Sequence, residues 1–135
     1  METWITYSLI GMLVLGFMNY AIKMLVDGHP PLVALFLVQG LSAMFVLALI
    51  LKDGVPVMET QMLKLAVPAG ALAALALYFS FSALKIGNAS KVVPIINLNT
   101  LVVVILASVL LKEQVSLKTS AGVAFGILSI YLIST

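Results

Sequence analysis

Cysteine is absent from this chain, and charged residues are scarce. Without cysteine, disulfide bonds and thiolate chemistry are excluded. Charged residues make up only 9% of the 135 positions, against about 25% in an average soluble domain, so an ordinary water-facing surface is not expected. The net charge of +2 is spread over all the predicted loops and indicates neither a nucleic-acid groove nor a basic patch. The composition therefore favours a chain surrounded by lipid.

Apolar residues fill most of the sequence, at 63% of the chain and a mean hydropathy of +1.23. They form five uncharged runs, and a helix needs roughly 20 such residues to cross a hydrocarbon core of about 30 Å. The runs cover residues 3–22, 30–51, 65–84, 92–111 and 119–135. Continuous apolar sequence, without strict alternation, predicts helices rather than barrel strands. No basic segment precedes the first run, so it is expected to stay in the mature protein and not to be a cleaved signal peptide.

The predicted fold is an all-α membrane protein, a single domain over residues 1–135 that bundles five transmembrane helices. Its helices are expected at residues 3–23, 30–51, 63–84, 91–111 and 117–135. Glycine and proline support two of the boundaries: Gly28 and Pro30 precede the second helix, and Gly54 and Pro56 follow it.

Polar side chains inside the predicted spans are the candidates for function, since each carries a desolvation cost unless it meets a partner or a wet cavity. Asn19 and Lys23 lie on one stripe of the first helix, which is expected to face protein. Lys23 has a second interpretation, because a long side chain near a helix end can extend to the interface. In the third helix Tyr78 and Ser82 share a face, although a tyrosine there can equally belong to the interfacial aromatic belt.

The fourth span carries the most polar sequence. Asn97 and Asn99 are two residues apart and so point to nearly opposite sides, which prevents one site from using both. Asn97 shares a face with Pro94 and Thr100. Hydrogen bonding between helices, at about 1 kcal/mol or less per bond, and contact with a substrate are both open interpretations. The predicted substrate pathway comprises Asn19, Lys23, Tyr78, Asn97 and Thr100.

The fifth span contains a GxxxG pair, Gly122 and Gly126, which Ser129 continues along the same face. Small residues at this spacing let two helix backbones approach closely. These three residues are therefore predicted to serve helix packing.

Several chemistries find no support in the sequence. No GxxxxGK[ST] loop is present, so ATP hydrolysis is not indicated. No nucleophile lies near a base, and His29 sits between glycine and proline with no second metal ligand, so it is interpreted as a turn residue. We expect no enzyme, no metal and no cofactor. The carboxylates all lie outside the uncharged runs, at Glu2, Asp27, Asp53, Glu59 and Glu113.

Residues 83–132 resemble the second half of an EamA unit of the drug/metabolite transporter superfamily. The similarity consists of Pro94 in the fourth helix, Glu113 just after it, and Gly122 and Gly126 in the fifth. The N-terminal part is similar more loosely. Two positions depart from the family: Gln39 stands where an arginine is common, and Thr100 replaces a proline, which predicts a straighter fourth helix.

The resemblance implies one half of a ten-helix transporter built from inverted repeats. Two copies, or two related chains, would then enclose the pathway. The implied function is a secondary transporter subunit in the plasma membrane, with a prokaryotic inner membrane expected, that exports or facilitates small polar or amphipathic metabolites. The alternatives are a small multidrug-type cation exporter, a lipid-linked-substrate flippase and a non-transporting helical scaffold. The lack of a carboxylate inside a span argues against a close relative of the small multidrug pumps.

The lysines near the span ends predict the orientation, because positive residues favour the cytoplasmic side. The two sides are nearly balanced, with Lys52, Lys64, Lys112 and Lys118 on one and Lys23, Lys85 and Lys91 on the other. Such balance predicts insertion both ways and an antiparallel homodimer, with a paralogous chain as the alternative partner.

Carboxyl-terminal fusions to a cytoplasm-only reporter and to an outside-only reporter should therefore both be active. One reporter that stays silent in every fusion, while the fused protein is present in the membrane, would show that insertion is one-way.

Overall fold

The computed structural model describes residues 3–54 and 59–134, which are helical except for short connections. The helices are α1 (Thr3–Gly28), α2 (Pro31–Asp53), α3 (Thr60–Ile86), α4 (Ala89–Ile96), α5 (Asn99–Leu110) and α6 (Leu117–Ser134). Met1, Glu2, Pro56 and Thr135, which figure in the expectations about the first run, the loop and the fifth helix, lie outside the described residues.

The predicted all-α membrane fold is confirmed. Among the described helices, four spans are long and apolar enough to cross a membrane: α1, α2, α3 and the segment Ala89–Leu110 that contains α4 and α5. The last helix, α6, contributes a shorter apolar segment, Leu117–Leu132. In hydrocarbon, helices of this kind satisfy their own backbone hydrogen bonds, which is why the chain keeps to them.

The first turn and the end of α2 follow from proline and glycine. Pro30 is extended, with φ −62° and ψ 135°, and Pro31 takes the first helical position, where a missing N–H costs nothing. The Pro30 carbonyl accepts the N–H groups of Val33 and Ala34 at 3.1 Å each. Gly54 ends the helix with φ 95°, a conformation that residues with a Cβ rarely adopt.

The chain forms two compact units, Met1–Ile86 and Gly87–Thr135. In the first unit α3 packs against both α1 and α2. In the second unit α4 packs against α6.

The first unit is tightly packed at one end only. Its buried side chains come from the last turns of α1, the first turns of α2 and the last turns of α3: Ile22, Val26, Ala34, Leu35, Phe81 and Leu84. Large apolar residues further along each helix, such as Leu13, Met44 and Val67, are exposed. These exposed faces are left for lipid or for another protein surface to cover.

The fourth span is interrupted at residues 97 and 98. The expectation of a straighter helix than in the family, drawn from the missing proline at Thr100, stays a prediction. α4 ends at Ile96 and α5 begins at Asn99. Between them the bonds tighten to the i−3 pattern: the Leu98 N–H donates to the Ile95 carbonyl at 3.1 Å, and the Thr100 N–H to the Asn97 carbonyl at 3.2 Å.

The side chain of Thr100 accounts for part of this turn. Its hydroxyl donates to the Asn97 carbonyl at 2.8 Å, so one carbonyl oxygen serves both the backbone and the side chain of Thr100. Hydroxyl bonds of this kind compete with the regular helical ladder and bend helices. The span therefore changes its winding without a proline at position 100.

The packed end of the first unit predicts a difference between two phenylalanines of α3. Phe81 is 1% exposed and Phe79 is 66% exposed. Phe81→Ala should lower the free energy of unfolding by about 3 kcal/mol, because the surrounding residues relax only partly into the cavity that it leaves. Phe79→Ala should leave the thermal unfolding midpoint in detergent nearly unchanged. Equal losses in the two variants would contradict the one-ended packing.

Candidate functional site

Lys23 joins α1 to the end of α3. Its Nζ donates to the Leu84 carbonyl at 2.9 Å and pairs with the Asp27 carboxylate at 2.7 Å. Leu84 lies in the last turn of α3, where carbonyls have no partner within the helix. A cation there is also favoured by the negative end of the helix dipole. The ammonium group therefore stabilises the packed end of the first unit.

His29 and Lys85 add further contacts at the same end. The His29 ring lies 3.0 Å from the Leu25 carbonyl through Nδ1. A carbonyl can only accept, so this nitrogen carries the hydrogen. Lys85 Nζ in turn donates to the His29 carbonyl at 3.3 Å. His29 thus lies in the bend after α1, with its ring on the last turn of that helix.

Three of the predicted pathway residues, Asn19, Lys23 and Tyr78, belong to the first unit. Asn19 is half-buried on α1, and its carboxamide makes no hydrogen bond to any described residue. Tyr78 is 40% exposed on α3, with its ring 5.6 Å from that of Phe79 in an edge-to-face contact. The pathway role of these three residues stays a prediction.

The second unit contains a groove of about 330 Å³ between α5 and α6. Its polar lining comes from Asn97, Thr100 and Thr119. The rest is aliphatic or glycine: Leu98, Leu101, Val104, Gly122, Val123, Gly126, Ile127 and Ile130. The groove therefore brings together the two predicted pathway residues of this unit, Asn97 and Thr100.

The polar groups of the groove differ in how many of their hydrogen-bond donors and acceptors are still unpaired. The Asn97 carboxamide makes no hydrogen bond to any residue that the structure describes. The Thr100 hydroxyl proton is used on the Asn97 carbonyl. The Thr119 hydroxyl lies 2.8 Å from Ser116 Oγ, and Ser116 accepts the Thr119 N–H at 3.1 Å as the N-cap of α6. Asn97 is thus the least satisfied of the three.

Asn97 lies deep in the span. It is the ninth residue of the 22-residue segment Ala89–Leu110, which puts it about 12 Å from the start at 1.5 Å per residue. A carboxamide without a partner at this depth costs free energy, because hydrocarbon offers no hydrogen bond. The groove therefore presents an unsatisfied donor and acceptor well inside an apolar span.

The glycine pair of α6 forms one wall of this groove. A Cβ built on Gly122 or Gly126 would meet nothing within 4 Å. The two glycines therefore make no close backbone approach within the described part of the chain. Ser129 is exposed and does not line the groove. The packing role of Gly122, Gly126 and Ser129 stays a prediction that concerns a partner outside the described chain.

Thr119 is a groove residue that the sequence analysis missed, although its spacing carried a signal. Thr119, Gly122 and Gly126 lie at i, i+3 and i+7, which is one face of a helix. The Leu84 carbonyl that accepts from Lys23 gave no such signal, because every residue has a backbone carbonyl and the sequence does not distinguish one from another.

The carboxylates that the structure describes lie at helix ends or between helices. Asp27 is in the last turn of α1, Asp53 ends α2, Glu59 precedes α3, and Glu113 lies between α5 and α6. None of these four lines the groove.

The two partners of Lys23 predict a stability effect. Lys23→Met should lower the free energy of unfolding by about 1.5 kcal/mol, since the Leu84 carbonyl and Asp27 both lose a charged partner. Lys64→Met, on the exposed first turns of α3, is the matched control and should change it little. The measurement is thermal unfolding in detergent. A Lys23→Met protein as stable as the control would remove the structural role and leave only the predicted pathway role.

Comparison with known proteins gives a family and no individual relative. No curated protein and no solved structure matches the chain. A family model described as the EamA-like transporter family matches residues 2–135, which is nearly the entire chain. Together with the apolar helices described above, this match shows a multi-pass membrane protein, and the chain belongs to the EamA-like transporter family.

Proposed function

We propose that this chain is a subunit of a secondary transporter in the plasma membrane, of prokaryotic inner-membrane type, that exports or facilitates small polar or amphipathic metabolites and works as a dimer. The observation that carries the proposal is the unpaired Asn97 carboxamide in a groove, well inside the apolar span Ala89–Leu110. An acyl chain in that groove would leave the carboxamide unsatisfied, whereas a polar solute would pair with it.

The size and lining of the groove support a small solute. Ligand sites are mostly apolar, hold a few placed polar groups and have volumes from about 300 to 1,000 Å³. The groove of about 330 Å³ has Asn97 and Thr100 beside aliphatic walls, so it suits a molecule at the low end of that range.

Two features of the chain support secondary rather than ATP-driven transport. The sequence has no phosphate-binding loop of the P-loop kind, and the described carboxylates lie outside the middle of the spans. Solute recognition in the groove would therefore depend on hydrogen bonds and shape, with movement driven by a solute gradient.

The exposed face of α2 supports the dimer. Gln39, the ninth residue of this 23-residue helix, is exposed, and its carboxamide makes no hydrogen bond to any described residue. Beside it is an apolar depression of about 780 Å³ that includes Phe36 and Gly40. A polar group at this depth is better satisfied by protein than by lipid. A second, oppositely inserted copy would supply that protein surface, in keeping with the balanced lysines.

Flux in liposomes that contain only this protein tests the proposal. Purified chain should release loaded uncharged amides faster than protein-free liposomes do. Asn97→Leu should reduce the rate about tenfold, the effect of losing a hydrogen-bonding side chain. Asn99→Leu is the matched control, because Asn99 does not line the groove, and it should transport like wild type.

Mass measurement of the same preparation in nanodiscs should give two chains per particle. Folded protein that releases no solute faster than empty liposomes would contradict transport. Solute release from particles that hold one chain would contradict the dimer alone.

A further inference from the structure

We propose that the groove between α5 and α6 binds an uncharged solute with a carboxamide-like head and a slim apolar body. This inference names the solute class for the site of the proposed function and rests on that function. It follows from three properties of the groove: its lack of charge, the hydrogen-bonding state of its polar groups, and the open space beside its glycines.

The charge of the solute follows from the lining. No lysine, aspartate, glutamate or histidine is among the described residues that line the groove. An ion that entered at this depth would lose its hydration and gain no counter-charge, which is strongly unfavourable. The groove therefore selects a neutral molecule over a cation or an anion of the same shape.

The head group follows from the two polar side chains. Asn97 offers amide N–H donors and a carbonyl acceptor, none of them paired with a described residue. Thr100 has donated its proton to the Asn97 carbonyl, so its oxygen can only accept. A complementary head brings at least one N–H for Thr100 and a donor and acceptor pair for Asn97. A carboxamide supplies all of these, whereas an ether or a ketone lacks the donor.

The body follows from the glycine wall. At Gly122 and Gly126 there is space where a Cβ would meet nothing within 4 Å. Leu101, Val104 and Val123 continue the lining as aliphatic surface. A volume of about 330 Å³ has room for one aromatic ring or a short alkyl chain beside the head. A helix of a second copy and a lipid acyl chain are the competing occupants of this space.

Equilibrium binding to the full chain in nanodiscs tests the assignment, with phenylacetamide as the labelled probe. Phenylacetate, benzyltrimethylammonium and ethylbenzene have a similar ring with an anionic, a cationic and an apolar end. Phenylacetamide should bind saturably, and each of the other three should compete at least about tenfold more weakly, because each fails to complete the hydrogen bonds.

Matched variants tie the binding to the groove. Asn97→Leu should weaken phenylacetamide about tenfold, with Asn99→Leu unchanged. Gly126→Leu should abolish binding by filling the groove, whereas Gly70→Leu on α3, also in open space, should not. If Gly126→Leu fails to fold, Gly126→Ala adds a single methyl group that meets nothing within 4 Å, and it should weaken binding without lowering the unfolding midpoint.

The outcomes separate the competing occupants. Absence of saturable phenylacetamide binding, equal binding of benzyltrimethylammonium, or wild-type binding by Asn97→Leu would each overturn the assignment. Loss of dimer content in Gly126→Leu with binding intact would assign the groove to a helix of the second copy. Equal competition by ethylbenzene would assign it to lipid chains.

The inference and the proposed function fail in different ways. Solute flux that is unaffected by Asn97→Leu and Gly126→Leu would leave transport standing and remove the groove as the site. Saturable binding that depends on Asn97, without any solute flux, would support the groove and remove transport.

Discussion

Hydrocarbon offers no hydrogen-bonding partner, and the structure depends on how each polar group meets that constraint. The backbone meets it by forming helices nearly everywhere in the described residues. At the end of α3, where helical bonding stops, the Lys23 ammonium supplies a donor to the Leu84 carbonyl. At the Asn97 turn the backbone keeps its hydrogen bonds by switching from the i−4 to the i−3 pattern. The Asn97 carboxamide has no hydrogen-bond partner among the described residues, and it lines the candidate site.

The two units differ in how they bury side chains and pair their polar groups. The first concentrates its buried side chains at one end, where Lys23, His29 and Lys85 also bond to backbone carbonyls. In the second, no described residue is buried, and its helices enclose a groove instead. Packing without a hydrophobic driving force relies on close contacts and hydrogen bonds. The second unit has such contacts between α4 and α6 but buries no described side chain, and the surface between α5 and α6 stays open.

Hydropathy and span length predicted the helical spans, because burial in lipid constrains every residue of a span. The polarity of Asn97 and Thr100 also identified two groove residues in advance. The break between α4 and α5 escaped prediction, since a hydroxyl bond from Thr100 contributes to it and no proline stands at that position. The bond from Lys23 to the Leu84 carbonyl escaped as well, because a backbone carbonyl 61 residues away has no signature in the side chains. The GxxxG spacing drew attention to the α6 face that lines the groove, but the packing role predicted from it stays a prediction.

The tight turn at Asn97 and Leu98 also changes the phase of the span. A turn with i−3 bonds advances by about 120° per residue instead of about 100°, so three residues add roughly 60°. A stripe of side chains that follows one side of α4 is therefore displaced by about a sixth of a turn when it reaches α5. The face of α4 that packs against α6 therefore does not continue in register along α5. It is rotated about the span axis where α5 begins. A helical wheel for residues 89–110 should therefore be drawn with α5 offset from α4 by this angle.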